Sequence, residues 1–154
     1  MKLTSLRLVV ASLLLAAGTS FAADLSPKAP DKLTPARTLI EQKKWTAAVD
    51  ELKKINDPAS ADWNNLMGYS LRKADAGNAA EAEKFYSEAL RIDPKHRGAL
   101  EYSGELYLMT GNLPIAEERL AVLNKACFLP CEEYSDLKRA VARYKANGNK
   151  YVAE

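Results

Sequence analysis

Two stretches of this sequence decide its fold: GNAAEAEKFYSEAL at residues 77–90 and GNLPIAEERLAVLN at residues 111–124. Both begin with Gly-Asn, and each then places a small residue, a large residue and an apolar residue at the same offsets. The second stretch follows the first by 34 residues. Because residues three or four positions apart share one face of a helix, each stretch predicts a turn followed by an amphipathic helix.

The same period of 34 residues reaches a third unit upstream. Three columns recur at this interval: Ala48, Ala82 and Ala116; Leu52, Tyr86 and Leu120; Ile55, Ala89 and Leu123. The small residues let two helices approach closely, and the other columns form one apolar stripe. The turn recurs at Lys43, Gly77 and Gly111, where a left-handed residue is needed to stop the preceding helix. Lysine adopts that conformation less easily than glycine, so we expect the turn at Lys43 to differ.

This pattern resembles the tetratricopeptide repeat, a 34-residue unit of two helices. The third unit carries the resemblance best, through Gly104, Tyr107, Gly111, Ala116 and Leu123. The second unit has two extra residues around Asp75-Ala76, which we expect to lengthen its first helix or loosen its turn. The resemblance implies an all-α protein: a right-handed α-solenoid of about three helix-turn-helix repeats, whose first helices line the concave side, with a C-terminal capping helix.

The beginning of the chain predicts a cleaved secretory signal peptide at residues 1–22. Lys2 and Arg7 precede an apolar run at residues 8–17, and Ser20-Phe21-Ala22 supplies a small-residue cleavage pattern. The run is about half of the ~20 residues needed to cross a bilayer, and no second hydrophobic segment follows. We therefore expect an exported, soluble protein with no membrane insertion after cleavage, in the periplasm or outside the cell.

The chain after the leader divides into repeats and a cap. The 3, 4 and 3 spacing of Tyr134, Leu137, Val141 and Tyr144 predicts a closing helix. We expect this helix to cover the apolar face of the last repeat, to be polar on its outer face and to end at Gly148. We expect a flexible lead-in at 23–32, repeats within 33–126 (about 33–58, 60–94 and 97–126), the capping helix at 130–147 and a tail at 148–154.

Charge and residue types argue against nucleic-acid binding and catalysis. The chain has 22 basic and 20 acidic residues, and removing the two leader cations leaves 20 of each. A neutral balance gives no electrostatic case for nucleic acid. His96 is the only histidine; it follows Asp93-Pro94-Lys95 in a turn between repeats, where a solvated side chain is the usual outcome. With no Gly-rich phosphate loop and no pair of histidines, we predict a protein without enzyme activity, cofactor or metal site.

The resemblance also implies where a partner would sit. In this family the inward positions of the first helices hold an extended peptide, and in register with Gly68 and Gly104 these are Asn65, Tyr69, Arg72, Lys73, Glu101, Glu105, Leu108 and Met109. An Asn followed by Arg and Lys suggests a grip for a peptide backbone or carboxylate. The alternative is that Arg72 and Lys73 only solvate the helix end. The sequence therefore predicts a protein- or peptide-binding adaptor.

The segment Cys127-Phe128-Leu129-Pro130-Cys131 allows three interpretations. In an oxidising compartment the two cysteines form a structural disulfide that fixes the angle of the final helix. If Pro130 starts that helix, Cys131 lies in its first turn and becomes a reactive thiolate. Two thiolates, with Met109 or His96, also suit a soft ion such as Cu(I). Compartment and fold favour the disulfide; metal or thiol-redox handling is the alternative function.

Overall fold

The computed structural model of the protein describes residues 31–129 and 131–152 and shows no strand there. Its seven α-helices in this region are α1 (Thr34–Glu41), α2 (Trp45–Ile55), α3 (Ala61–Ala74), α4 (Ala79–Ile92), α5 (Arg97–Met109), α6 (Leu113–Ala126) and α7 (Glu132–Ala146). None of the helices described is long and apolar enough to cross a membrane. The all-α prediction is confirmed, whereas the signal peptide, most of the lead-in and Pro130 lie outside the described residues.

The helices stack in chain order as three pairs and one further helix. Each odd-numbered helix packs against the even-numbered helix that follows it, and α1, α3, α5 and α7 also contact one another in series. Such a one-dimensional arrangement is typical of a solenoid, in which each unit buries its apolar face on the next. The odd-numbered helices consequently form one continuous inner layer.

Close contacts between helices explain the small residues of the repeat. Ala48, Ala82 and Ala116 are fully buried. A Cβ added at Gly68 would lie 2.9 Å from Cε1 of Tyr86, and one at Gly104 would lie 2.6 Å from Cδ2 of Leu137. These glycines therefore let α3 approach α4 and α5 approach α7 more closely than any other residue would allow.

The three turns within the helix pairs follow the predicted left-handed conformation at two positions and depart from it at the third. Gly111 is left-handed with φ 81°, as predicted, and Lys43 adopts the same region with φ 58°. Gly77 does not: it lies in a short 3-10 helix at Ala76–Asn78, where the Asp75 carboxylate accepts its N–H at 2.8 Å. The prediction of a left-handed residue at Gly77 is wrong because the two extra residues of this unit build a 3-10 turn instead.

The last helix closes the stack. Leu137, Val141 and Tyr144 are buried and Tyr134 is half-buried, while Lys138 is exposed. The helix begins at Glu132, two residues after the expected start, and Cys131 is its N-cap in an extended conformation. The expectation that Cys131 lies in the first helical turn is therefore wrong.

Candidate partner-binding groove

A groove of about 480 Å³ lies between α3, α5 and α7. We call it the inner groove, and its walls are formed by Tyr69, Arg72 and Lys73 of α3, by Glu101, Tyr102, Glu105 and Met109 of α5, and by Asp136, Arg139 and Arg143 of α7. Tyr151 also lines it. An adjoining depression of about 410 Å³, the side cleft, shares Glu101 and Tyr102 with it and is also lined by Asn65, His96 and Arg97.

Six of the eight predicted contact residues line the inner groove: Tyr69, Arg72, Lys73, Glu101, Glu105 and Met109. Asn65 lies in the side cleft. Leu108 is only 1% exposed and packs in a core cluster with Ala116 and Leu137. Because α7 covers this side of α5, Leu108 cannot reach a partner in the groove, and its selection as a contact residue is corrected.

Arg72 is buried in the groove wall and paired inside the protein. Its side chain is 2% exposed, and Nη2 donates to Oε2 of Glu105 at 2.7 Å. Its Nη1 contacts Sδ of Met109 at 3.6 Å. The interpretation that Arg72 only solvates the end of α3 is therefore wrong. The carboxylate that Arg72 binds is that of Glu105 in the same protein, where the sequence suggested a carboxylate of a partner. Only Lys73 of the predicted cations is exposed.

Aromatic rings surround this ion pair. The centroids of the Tyr69 and Tyr102 rings are 4.4 Å apart, and Cζ of Arg72 lies 5.7 Å and 5.9 Å from them. Trp45 contacts Tyr69 edge-on at 5.8 Å. Tyrosines offer a flat apolar ring and a polar tip, which suits them to contact a peptide. The concave side thus combines a rigid aromatic surface with buried charge.

Glu101 is a buried carboxyl that faces both depressions. The residue is 7% exposed, and no cation lies within ion-pair distance of it among the described residues. Burial, followed by the nearby carboxylates of Glu105, Asp136 and Glu133, raises the pKa of Glu101 to about 8, against the opposing effect of Arg72. The side chain is therefore mostly neutral at pH 7.

Asn65 lies beside Glu101 with an unsatisfied oxygen. It is 7% exposed, and its buried Oδ1 has no hydrogen-bond partner within the described region. A Cβ added at Gly98 would lie 2.9 Å from Nδ2 of Asn65, so the glycine makes room for this amide. Buried acceptors without a partner are uncommon in folded proteins and mark a place where a donor is missing.

His96 connects α3 to α5 at the edge of the side cleft. Its Nδ1 accepts the N–H of Ala99 at 3.1 Å and thereby caps α5, and its Nε2 lies 2.8 Å from Oδ1 of Asp62. Because Nδ1 is an acceptor, Nε2 carries the ring proton and donates it to Asp62. The expected solvated histidine is instead largely buried and holds two helices together.

The two cysteines form a disulfide in the structure, with their Cα atoms 5.9 Å apart. Bonded in this way, neither sulfur is free as a nucleophile or a metal ligand. Among residues 31–129 and 131–152, no three or more His, Cys, Asp or Glu side chains form a group that could hold a metal ion. The disulfide closes a loop in which Phe128 is fully exposed and Leu129 is 72% exposed.

Several residues of the groove were missed by the sequence analysis. Tyr102 was passed over because the family register selects its neighbours Glu101 and Glu105, although Tyr102 lies three residues before Glu105 and hence on the same face. Asp136 and Arg139 were missed because α7 was interpreted only as a cap. A helix that follows the last pair occupies the position of the first helix of a further repeat. This position could have indicated from the sequence that α7 lines the concave side.

The fold and the groove together define a helical repeat protein with a concave surface. Residues 73–141 match the model of the family described as tetratricopeptide repeat. This stretch runs from the end of α3 into α7 and includes the whole α5 wall of the groove, with Lys73 of α3 and Asp136 and Arg139 of α7. The predicted resemblance is confirmed for this stretch: residues 73–141 match the tetratricopeptide repeat family.

Solved structures show the same fold. The chain is similar to the type III secretion translocator chaperone SycD of Yersinia enterocolitica, with a TM-score of 0.65 and 17% identity, over 76% of this chain and 83% of that chain. A structure of SycD in complex with a peptide of the translocator YopD matches with a TM-score of 0.60 and 18% identity, over 75% and 88% of the two chains. At these identities the likeness concerns the fold alone. No curated protein matches the chain in sequence.

Proposed function

We propose that the protein is a non-enzymatic adaptor that holds an extended segment of another protein in the inner groove. The observation that carries the proposal is the groove itself: about 480 Å³ of concave space beside two tyrosine rings in contact. A narrow channel with rigid aromatic walls binds a peptide at a low cost in side-chain entropy. The SycD structure that holds a YopD peptide supports the proposal, since it shows that a similar fold accommodates a peptide.

The contact set is revised accordingly. Tyr69, Lys73 and Tyr102 are partly or fully exposed in the groove and can touch a partner, whereas Arg72 supports them from behind. Alanine at Arg72 would disturb the groove itself and report on folding as well as on binding. Substitutions meant to test binding therefore belong at the exposed positions.

Photocrosslinking in living cells tests the groove directly. A photoreactive benzoylphenylalanine in place of Lys73 is expected to form a discrete adduct with a partner protein. The matched control places the same group at Lys53, which is exposed on α2 outside the inner groove and the side cleft. Loss of the adduct in a Tyr69→Ala, Tyr102→Ala background would tie it to the aromatic wall. Equal adducts from both positions, or none from position 73, would refute the proposal.

The proposed compartment is the periplasm. It rests on the leader pattern at residues 1–22 and on the paired cysteines, because disulfides persist in oxidising compartments. Mass spectrometry of protein from the fractionated cell should find the chain starting after Ala22, or one residue later, in the periplasmic fraction. A chain that keeps its first residues and remains in the cytoplasm would refute this location.

A further inference from the structure

We propose that the place where the inner groove meets the side cleft, at Glu101 and Tyr102 with Asn65 of the side cleft, binds a positively charged side chain, lysine or arginine, of the partner segment. The inference rests on the proposed function, because it assigns the chemistry of the segment that the groove would hold. It reverses the expectation from the sequence that this surface grips a carboxylate.

The distribution of ion pairs around the groove leaves Glu101 without a cation. Arg72 pairs with Glu105 at 2.7 Å, and Arg139 pairs with Asp136. Arg97 lies 3.5 Å from Glu133. Each of these carboxylates has a cation of its own, whereas Glu101 has none in the region that the structure describes. A cation entering the groove would therefore find the buried carboxyl group of Glu101 unmatched.

The second observation is the free oxygen of Asn65. It lines the side cleft together with Glu101, is more than nine-tenths buried, and has an Oδ1 without a partner among the described residues. An amide oxygen and a carboxylate are both acceptors. A guest that supplies several N–H donors and a positive charge can donate to both once Glu101 has lost its proton, whereas a guest carboxylate offers no donor to the Asn65 oxygen.

Tyr102 provides the third part of the site. Its ring lines both the inner groove and the side cleft, next to Glu101 in the chain. The face of a tyrosine ring attracts a cation, and Arg72 already uses this interaction on the same ring at 5.9 Å. A guest cation in the side cleft would meet Tyr102 together with Glu101 and Asn65, since all three line that depression.

Protonation of Glu101 gives this site a measurable signature. Burial and the surrounding acids raise the pKa of Glu101 to about 8. The charged and titratable groups that line the two depressions with Glu101 are Asp62, Arg72 and Lys73 on α3, Arg97 and Glu105 on α5, Glu133, Asp136, Arg139 and Arg143 on α7, and Arg37, Asp75, Asp93, Lys95 and His96 at their edges. A bound cation favours the carboxylate, so binding at pH 7 should release about one proton into solution.

The test uses the mature protein and two peptides. One is a capped lysine octapeptide, and the other is the same peptide with every lysine acetylated, which keeps the length and removes the charge. Titration followed by amide chemical shifts locates the binding site. Calorimetry in phosphate and in Tris, which differ in ionisation enthalpy, counts the protons released. The variants are Glu101→Gln and, as a matched control, Glu81→Gln, which removes the same charge from an exposed position on α4.

We expect the lysine peptide to shift amides around residues 65, 101 and 102 and to release about one proton at pH 7, with no release at pH 10. Glu101→Gln should abolish proton release and weaken binding about tenfold, while Glu81→Gln should change neither. Equal binding of the acetylated peptide in the groove would overturn the cation site and leave the adaptor function standing. Shifts elsewhere, or none, would also overturn it, and the crosslinking experiment then judges the adaptor function separately.

Discussion

Between α3 and α4 the protein buries apolar and small side chains, whereas between α3 and α5 it buries charge. The first contact brings Gly68 against Tyr86 and follows the 34-residue period. The second holds Arg72 beside Glu105 and leaves Glu101 without a cation in the described region. The repeat period therefore specifies how the helices pack, whereas the chemistry of the concave face lies in residues that do not recur.

The largest expected change in stability comes from breaking a buried ion pair, compared with breaking an exposed one. We expect Arg72→Ala to lower the free energy of unfolding by about 3 kcal/mol, because it leaves Glu105 without its partner inside the groove wall. Urea denaturation measures this. Arg91→Ala is the control, because Arg91 pairs with Glu88 at the same 2.7 Å in full solvent and should change stability little. Equal losses in the two variants would show that the groove wall does not bury charge.

The apolar side of the comparison is tested at Gly104. We expect Gly104→Ala to lower stability by about 2 kcal/mol, since its new Cβ would lie 2.6 Å from Cδ2 of the buried Leu137. Adding Leu137→Ala should remove the clash, so the two losses should not add. A gain in stability from Gly104→Ala alone, as helix propensity would give, would contradict a close approach of α5 to α7.

A smaller effect, on the pH dependence of stability, tests the buried carboxyl group of Glu101. The pKa of Glu101 is about 8 when folded and 4.5 in its ordinary range, so between these values the folded state holds more protons than the unfolded state. Stability should therefore fall as pH rises through this window. Glu101→Gln should remove that slope and be more stable than the wild type by about 1–2 kcal/mol at high pH, with little difference near pH 4. Parallel stability curves would mean that Glu101 is ionised throughout.

The smallest effect is expected at the edge of the side cleft. We expect His96→Ala to lower stability by about 1 kcal/mol, because it removes the side-chain cap of α5 and the contact with Asp62. The neighbouring Lys95→Ala should have little effect, since that side chain is exposed. Thermal unfolding of both variants measures the difference. A similar loss at both positions would indicate a general sensitivity of this turn.

The sequence predicted the helical repeat well because its evidence was periodic. Ala82 and Ala116 mark equivalent places in successive units, and packing makes the same demand at each. The groove was harder to predict. Leu108 was wrongly predicted as a contact residue because the repeat register does not show that α7 covers it. Tyr102 was missed because its ring contact with Tyr69 of another helix does not recur in the 34-residue pattern. That Arg72 is neutralised by Glu105, 33 residues away, depends on how the helices are arranged in space.

The turn at Lys43 shows the limit of arguing from residue type alone. Lysine was expected to avoid the left-handed region, yet it adopts a φ of 58° there, while Gly77, which could adopt it freely, does not. Glycine, which has no Cβ, permits the left-handed conformation but does not impose it. The number of residues between two helices decides the turn, and the side chain adjusts to it.

The position of α7 also sets when the groove comes into existence during synthesis. Two of its walls are made of residues before 110, but the third contains Asp136 and Arg139, which leave the ribosome after the helix pairs. A chain interrupted after α6 would carry its repeats with the concave surface open and the apolar side of α5 uncovered. The groove is therefore complete only when α7 docks on α5.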